Sequence, residues 1–261
     1  MDALCDDLAA EHAALDRIVA ADPAATLATP TPAAGWTVGD QLSHLWFFDN
    51  KALLSLTDPD AFVADAAEML AAMAESGTDM SVAPGRAISP DELLANWRRD
   101  RDGLIAHART VDPKARVPWY GPAMSVRSFI TARLMETWAH GQDVVDALRA
   151  ERPATDRLRH VAHIGVGARA FSYVANGREM PDAPIRVELA APSGDTWTWG
   201  PEDAVDRVTG PALDFCLLVT QRRHRDDVDL VAVGPAADEW LGIAQAFAGP
   251  PGAGRRPGEF A

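Results

Sequence analysis

Lysine is nearly absent from this chain of 261 residues: of 24 basic residues only Lys51 and Lys114 are lysine, and the rest are arginine. Positive charge is short overall, since 38 acidic residues leave a formal net charge of −14 and a pI near 4.8. A surface of that sign lacks the basic footprint that nucleic acids and anionic membranes require, which excludes both as partners. Cysteine is scarce too. Cys5 and Cys216 lie far apart, one in an expected surface helix and one in an apolar run, a spacing that suits neither a zinc ribbon nor a redox pair. A reduced, cytoplasmic chain is the expectation. Long apolar runs are missing as well. None reaches the ~20 residues of a membrane span, and the opening MDALCDDLAAEH has no basic segment followed by an apolar one, unlike a secretory signal. What the chain does have is a hydrophobic fraction of 48% and a charged fraction of 24%, the balance of a globular protein of one large or two ordinary domains.

Helical spacing dominates the first half. Leu4, Leu8, Leu15, Ile18 and Val19 recur along residues 2–20 until Pro23 ends the pattern. After a loop with Pro30 and Pro32, Thr37 stands three residues before Asp40 in the manner of a capping box, which starts a helix running to about Leu56. Residues 59–75 are alanine-rich and helical, and residues 77–90 form a loop. Ser89, Pro90, Asp91 and Glu92 combine an N-cap, a proline in the first turn and two early acids, so a helix runs from there to about Arg109. Residues 111–124, with Pro113, Pro118, Gly121 and Pro122, form a loop, and Ser125 caps a helix over 126–149. Four principal helices with one or two accessory ones make a helical bundle.

Beyond Pro153 the texture changes. A helix over 155–176 ends at Asn176-Gly177. Residues 185–189 and 196–199 alternate as strands around a turn at Ser193-Gly194-Asp195, which makes a hairpin. A short strand at 204–208, a helix over 210–222 opened by Pro211, a strand at 229–233 and a helix over 236–247 follow. The fold class is therefore α+β, with a helical-bundle domain at 1–152, a small α+β domain at 153–250 and a flexible tail at 251–261 that is rich in Gly, Pro and Arg.

One constellation carries chemistry. Glu136 and His140 are about one helical turn apart and project from the same face. His44 sits mid-helix among Leu42, Leu45, Trp46, Phe47 and Phe48. Where these helices are neighbours, two imidazoles and a carboxylate converge, a borderline ligand set that suits zinc and also nickel, iron or manganese. Three protein ligands leave positions open, as catalytic sites do. On the same face of the second helix, Asp143 can accept the proton of a ligand imidazole, and Arg133 can orient Glu136 or hold an anionic substrate. By spacing alone these residues equally describe helix ion pairs and a hydrogen-bonded core histidine. Trp119 and Tyr120 suit either a pocket mouth or a loop anchored by aromatic packing. Trp46, Trp138 and Cys216 read as core, and His160 and His163 as surface or interdomain residues.

The flanking residues carry a resemblance. Gly35-Trp36-Thr37-Val38, with Asp40, Leu42, His44 and Leu45, resembles the second-helix signature of the DinB-like metalloprotein superfamily. Residues 131–144, with Glu136, His140 and Asp143 in a Glu-x-x-x-His-x-x-Asp pattern, resemble the corresponding helix of its mycothiol-dependent maleylpyruvate isomerase branch. The resemblance implies a DinB-like four-helix bundle that holds zinc through His44, Glu136 and His140, followed by a small α+β domain. The apolar stretch 210–221 followed by Arg222 is similar to that branch's helix ending in an arginine implicated in activity, which gives Arg222 a catalytic and cofactor-binding role. Residues 117–124 and the run Gln221-Arg222-Arg223-His224 are closer to a sister group of metal-binding proteins of unknown activity. The implied protein is a divalent-metal-dependent enzyme, monomeric or homodimeric. It would use a low-molecular-weight thiol such as mycothiol for isomerisation or S-transfer on a small electrophilic substrate. A non-catalytic metal-binding or regulatory protein, and a hydrolase using a metal-bound water, are the alternatives.

Overall fold

Side-chain caps start several of the helices in the computed structural model, which describes residues 1–76 and 79–260. Gly77 and Thr78, at the head of the expected 77–90 loop, and Ala261, at the end of the tail, lie outside the described residues. Contacts divide the chain into two compact units, Met1–Arg152 and Pro153–Ala261.

In the first unit, α1 (Asp2–Val19) buries Leu4, Leu8, Leu15 and Val19 along one side. Pro23 does more than end that pattern. It opens a short helix, α2 (Pro23–Leu27), because Asp22 accepts a hydrogen bond from the Ala25 N–H and proline is tolerated in a first turn. α3 (Val38–Thr57) starts at a reciprocal capping box, in which Thr37 Oγ1 accepts from the Asp40 N–H and the Asp40 carboxylate accepts from the Thr37 N–H. α4 (Pro59–Ser76) and the single turn α5 (Ala83–Arg86) follow. α6 (Pro90–Ala108) has a second capping box, between Ser89 and Glu92. The expected 111–124 loop contains a two-residue ladder, β1 (Arg116–Val117) against β2 (Met124–Ser125). Ser125 then caps α7 (Val126–Leu148) by accepting from the Ser128 N–H. α1, α3, α6 and α7 pack as the bundle, around a core that includes Leu15, Val38, Leu42, Leu45, Leu94 and Trp97.

The second unit holds a sheet of order β4-β3-β5-β6. β3 (Ile185–Ala190) and β4 (Thr196–Trp199) form the expected hairpin. β5 (Asp206–Pro211) runs parallel to β3, and β6 (Val231–Val233) is antiparallel to β5. The helix expected over 155–176 is two helices, α8 (Leu158–Gly167) and α9 (Arg169–Ala175). The break follows Gly165 and Gly167, each costing a helix about 1 kcal/mol relative to alanine. The helix expected over 210–222 is shorter as well. Gly210 and Pro211 pair with Leu189 and Ala190 as the end of β5, so α10 is Ala212–Val219. Arg222 consequently lies beyond the helix, after a turn in which Gln221 takes a positive φ of 59°. α11 (Pro235–Leu241) is set early by Asp206, whose carboxylate accepts from the Ala236 and Ala237 N–H groups. Residues 249–260 contain no helix or strand, yet the Gly258 N–H donates to Asp227 and Arg223 lies over the Phe260 ring. The class is α+β. No helix among the described residues is long and apolar enough to cross a membrane.

Candidate metal centre

α3 presents His44 and α7 presents Glu136 and His140, and the two helices pack together. One donor atom from each of the three residues lies within 4.8 Å of the others. His140 Nε2 stands 3.2 Å from Glu136 Oε2, and the two imidazole centroids are 4.3 Å apart. The His140 and Glu136 side chains keep 14% and 24% of their exposure, so the cluster stays in contact with solvent. Burial alone would raise the Glu136 carboxyl. The hydrogen bond and charge of His140, with Arg133 and His44 behind, outweigh that and hold it at about 2, so it is ionised at neutral pH.

The far side of each imidazole is engaged. His140 Nδ1 lies 2.6 Å from Gln41 Oε1. The Gln41 amide is oriented by its other end, where Nε2 donates to Thr31 Oγ1 at 3.2 Å, so the oxygen faces the imidazole and His140 Nδ1 is the donor. His44 Nδ1 lies 2.8 Å from Ser81 Oγ. That hydroxyl donates to Asp79 Oδ1 at 2.6 Å, so it accepts from His44. Both networks put a proton on Nδ1 and turn Nε2 toward the cluster; the His140 Nε2 that donates to Glu136 while protonated is the atom a cation would take over.

Three segments build these supports. Ser43, beside His44, donates to the Ser81 carbonyl and accepts from the Gly85 N–H, docking the 81–86 segment on α3. Gly85 is required there, because a Cβ would meet Ser43 at 2.4 Å. Arg86 then pairs with Asp40 at 2.7 Å, next to the α3 cap. Trp36, just before the cap, lies 5.2 Å from the His44 ring and nearly parallel to the His140 ring at 6.0 Å. Phe48 contacts His44 edge-on at 4.7 Å.

The other sequence candidates separate by environment. Arg133 is buried and bonds Asp49, and Asp143 is buried on the same helix as His140. The residue that meets His140 Nδ1 is Gln41, which spacing did not single out. Arg222 belongs to the second unit and donates to the Thr220 carbonyl. Trp119 stacks on Phe62 and Tyr120 packs edge-on to it, with Ser55 donating to the Pro118 carbonyl, so this loop is anchored by aromatic packing. Trp138 is buried, and Trp46 donates to Asp100. Burial raises the Cys216 thiol, which sits in the core against the Leu158 carbonyl. His163 is exposed and accepts from Trp199.

Comparison with known proteins places the chain. A profile described as Mycothiol maleylpyruvate isomerase N-terminal domain matches residues 8–145, and one described as Wyosine base formation matches residues 181–233. Uncharacterised proteins from two strains of Mycobacterium tuberculosis are each 51% identical over 252 residues, spanning 95% of this chain and 96% of theirs. An L-cysteine:1D-myo-inositol 2-amino-2-deoxy-alpha-D-glucopyranoside ligase of Frankia casuarinae is 28% identical over 217 residues, which is 70% of this chain and 46% of the ligase. The crystal structure of the mycothiol-dependent maleylpyruvate isomerase shares the fold, with a TM-score of 0.55 at 16% identity over 90% of this chain and 95% of that one. Because the first profile spans more than half of the chain, the protein belongs to the mycothiol maleylpyruvate isomerase N-terminal domain family, in the DinB-like group whose motifs its α3 and α7 resemble.

Proposed function

We propose that this protein is a divalent-metal-dependent enzyme that uses a low-molecular-weight thiol of the mycothiol kind to isomerise a small electrophilic substrate or to transfer sulfur onto it. His44, Glu136 and His140 are the metal ligands in this reading. The observation that carries it is the pair of tautomer locks, Gln41 on His140 and Ser81 on His44. A surface ion pair between Glu136 and His140 has no need of a His44 ring held in place by Ser81. Two imidazoles held by their Nδ1 atoms beside one carboxylate, each with Nε2 to give to an ion, are what a cation needs. The family profile and the mycothiol-dependent enzyme of like fold favour a thiol partner, as does a relative named for acting on L-cysteine.

The donor set fits the ion. Two neutral imidazoles and a carboxylate held ionised suit zinc first, and nickel, iron or manganese after it. The Glu136–His140 separation of 3.2 Å is close to the ~3.4 Å expected between two donors about 2.0–2.1 Å from a tetrahedral zinc. A divalent ion bound there supplies a Lewis acid that lowers the pKa of a coordinated thiol or water. The chain's own residues do the rest. His44 and His140 offer Nε2, Glu136 offsets one positive charge, and Gln41 and Ser81 hold the rings. Trp36 shields the imidazoles on one side. Arg133 and Asp143 support the ligand helix, and Arg222 keeps the role toward an anionic group on the thiol or substrate that the family resemblance gives it.

The purified protein should hold close to one divalent ion per chain by metal analysis, and His44→Ala should lower occupancy at least tenfold. Mycothiol should raise the melting temperature of the metal-loaded protein and leave the metal-free protein unchanged. Thiol-dependent turnover at the parental rate in His44→Ala would sink the reading.

A further inference from the structure

We infer that Asp49, acting through Arg133, is a positioning residue for the metal centre. A buried ion pair sets the mutual rotation of the two helices that carry the ligands. The inference rests on the ligand reading proposed above.

Asp49 lies on α3, five residues after His44, and Arg133 lies on α7, three residues before Glu136. Neither is available to solvent: Asp49 is 0% exposed and Arg133 3%. Arg133 Nε donates to Asp49 Oδ1 at 3.0 Å, and Nη2 lies at the same distance from that oxygen. Nη2 also reaches the Leu45 carbonyl, one residue past His44, at 3.5 Å. One guanidinium thus grips α3 at two points a turn apart, from the turn of α7 that leads into Glu136.

Stability does not account for this arrangement. Buried ion pairs add little net stability, and apolar residues of similar volume often do as well or better in their place. The surroundings make the cost plain. Asp49 Oδ2 has no hydrogen-bond partner, and it faces His12 Nε2 at 3.6 Å, beyond bonding distance. His12 is itself buried with neither ring nitrogen bonded, edge-on to Trp97 at 5.8 Å. Geometry does account for it. Leucine and tryptophan packing tolerates sliding, whereas a planar guanidinium fork fixes direction as well as distance. The triad straddles α3 and α7, so the relative setting of these helices decides whether His44 meets Glu136 and His140 within one coordination sphere. Arg133 and Asp49 contact the helices and not the metal, and their effect reaches it only through the ligands.

The test compares the parent with Asp49→Leu/Arg133→Met and with Arg133→Lys, each stripped of metal and titrated with Co²⁺, reading affinity by competition and geometry from the visible d–d bands. The double variant removes both charges together and leaves no orphaned ion, so its metal-free melting temperature should stay within a few degrees of the parent. Its Co²⁺ affinity should fall 10- to 100-fold, the usual range for residues that orient ligands, with altered bands. Arg133→Lys keeps the charge and loses the fork, so its affinity should fall between the two. A folded double variant with parental affinity and spectrum overturns the inference. Should the double variant not fold, parental affinity and bands in Arg133→Lys overturn it instead. A folded parent that takes up no Co²⁺ removes the ligand reading and this inference together, whereas normal parental uptake with unchanged variants removes this inference alone.

Discussion

Gln41 is wholly buried and uses both ends of its amide, one on His140 Nδ1 and one on Thr31 Oγ1. Gln41→Leu keeps the bulk and removes the acceptor that fixes the His140 tautomer. Metal affinity should fall 10- to 100-fold in a competition titration, while the metal-free melting temperature moves by only a few degrees. Unchanged affinity would mean that the imidazole finds its orientation without help. Gln41 also marks how far the site could be read from the sequence. Glu136 and His140 declare themselves because their relation is local, four residues on one helix. His44 stands out as a polar residue on an apolar stripe. The bonds that make these residues a coherent site are not local: Ser81 is 37 positions from His44, and Gln41 is 99 from His140. No periodicity encodes a contact of that span. One signal was present, since Gln41 precedes His44 by three residues and so shares its face of α3.

At the scale of elements, the capping box that starts α3 was legible for the reason that Gln41 was not. Thr37 and Asp40, three residues apart, complete both of their hydrogen bonds within one turn. Thr37→Ala removes the side-chain acceptor for the Asp40 N–H and should cost about 1 kcal/mol, measured as a shift in the urea midpoint of the metal-free protein. Arg86, which also binds Asp40, keeps the start of α3 from fraying altogether. Because Trp36 and Gln41 flank this first turn, the same variant should also bind metal more weakly than the parent. The boundary between β5 and α10 was illegible. Gly210-Pro211 followed by an apolar run reads locally as a helix start, but Leu189 and Ala190 on β3 claim both residues for the sheet. Pro211 tolerates that place because it closes the strand and then serves as the N-cap of α10. The site-bearing unit was the more readable of the two because its helices are punctuated by local caps, whereas the second unit takes its boundaries from strand pairing.

For the molecule as a whole, the buried polar groups predict how stability depends on pH. Burial, reinforced by Arg101 and Arg133 and opposed by Glu11 and Asp16, pushes His12 well below the usual imidazole range, so the folded protein keeps it neutral. In the unfolded chain it takes up a proton near pH 6.5. The sign follows from that difference. Above about pH 6.5 the burial of His12 carries no protonation cost. Below it the unfolded state holds one proton more than the folded state, and stability falls by about 1.4 kcal/mol per pH unit. The carboxylates act in a lower window. Burial opposes the charged forms of Asp16, Asp40 and Glu136, but Arg98 and Arg101, Arg86, and His140 respectively outweigh it and hold these groups low. Their contribution is complete above the usual carboxylate range, about pH 4, and is lost beneath it. The general repulsion of a chain with net charge −14 has the opposite sign, since it relaxes as acid is added. Asp49, 3.6 Å from His12, is instead raised by burial, so its protonation favours the folded state as acid is added; the loss of stability that sets in below pH 6.5 is the part His12 contributes. Urea unfolding of the metal-free protein at pH 7.5, 6.5 and 5.5 should show it, and His12→Leu should lose less stability than the parent across the same range. A parent that loses no more than the variant would show that the imidazole is charged, or reached by water, inside the bundle.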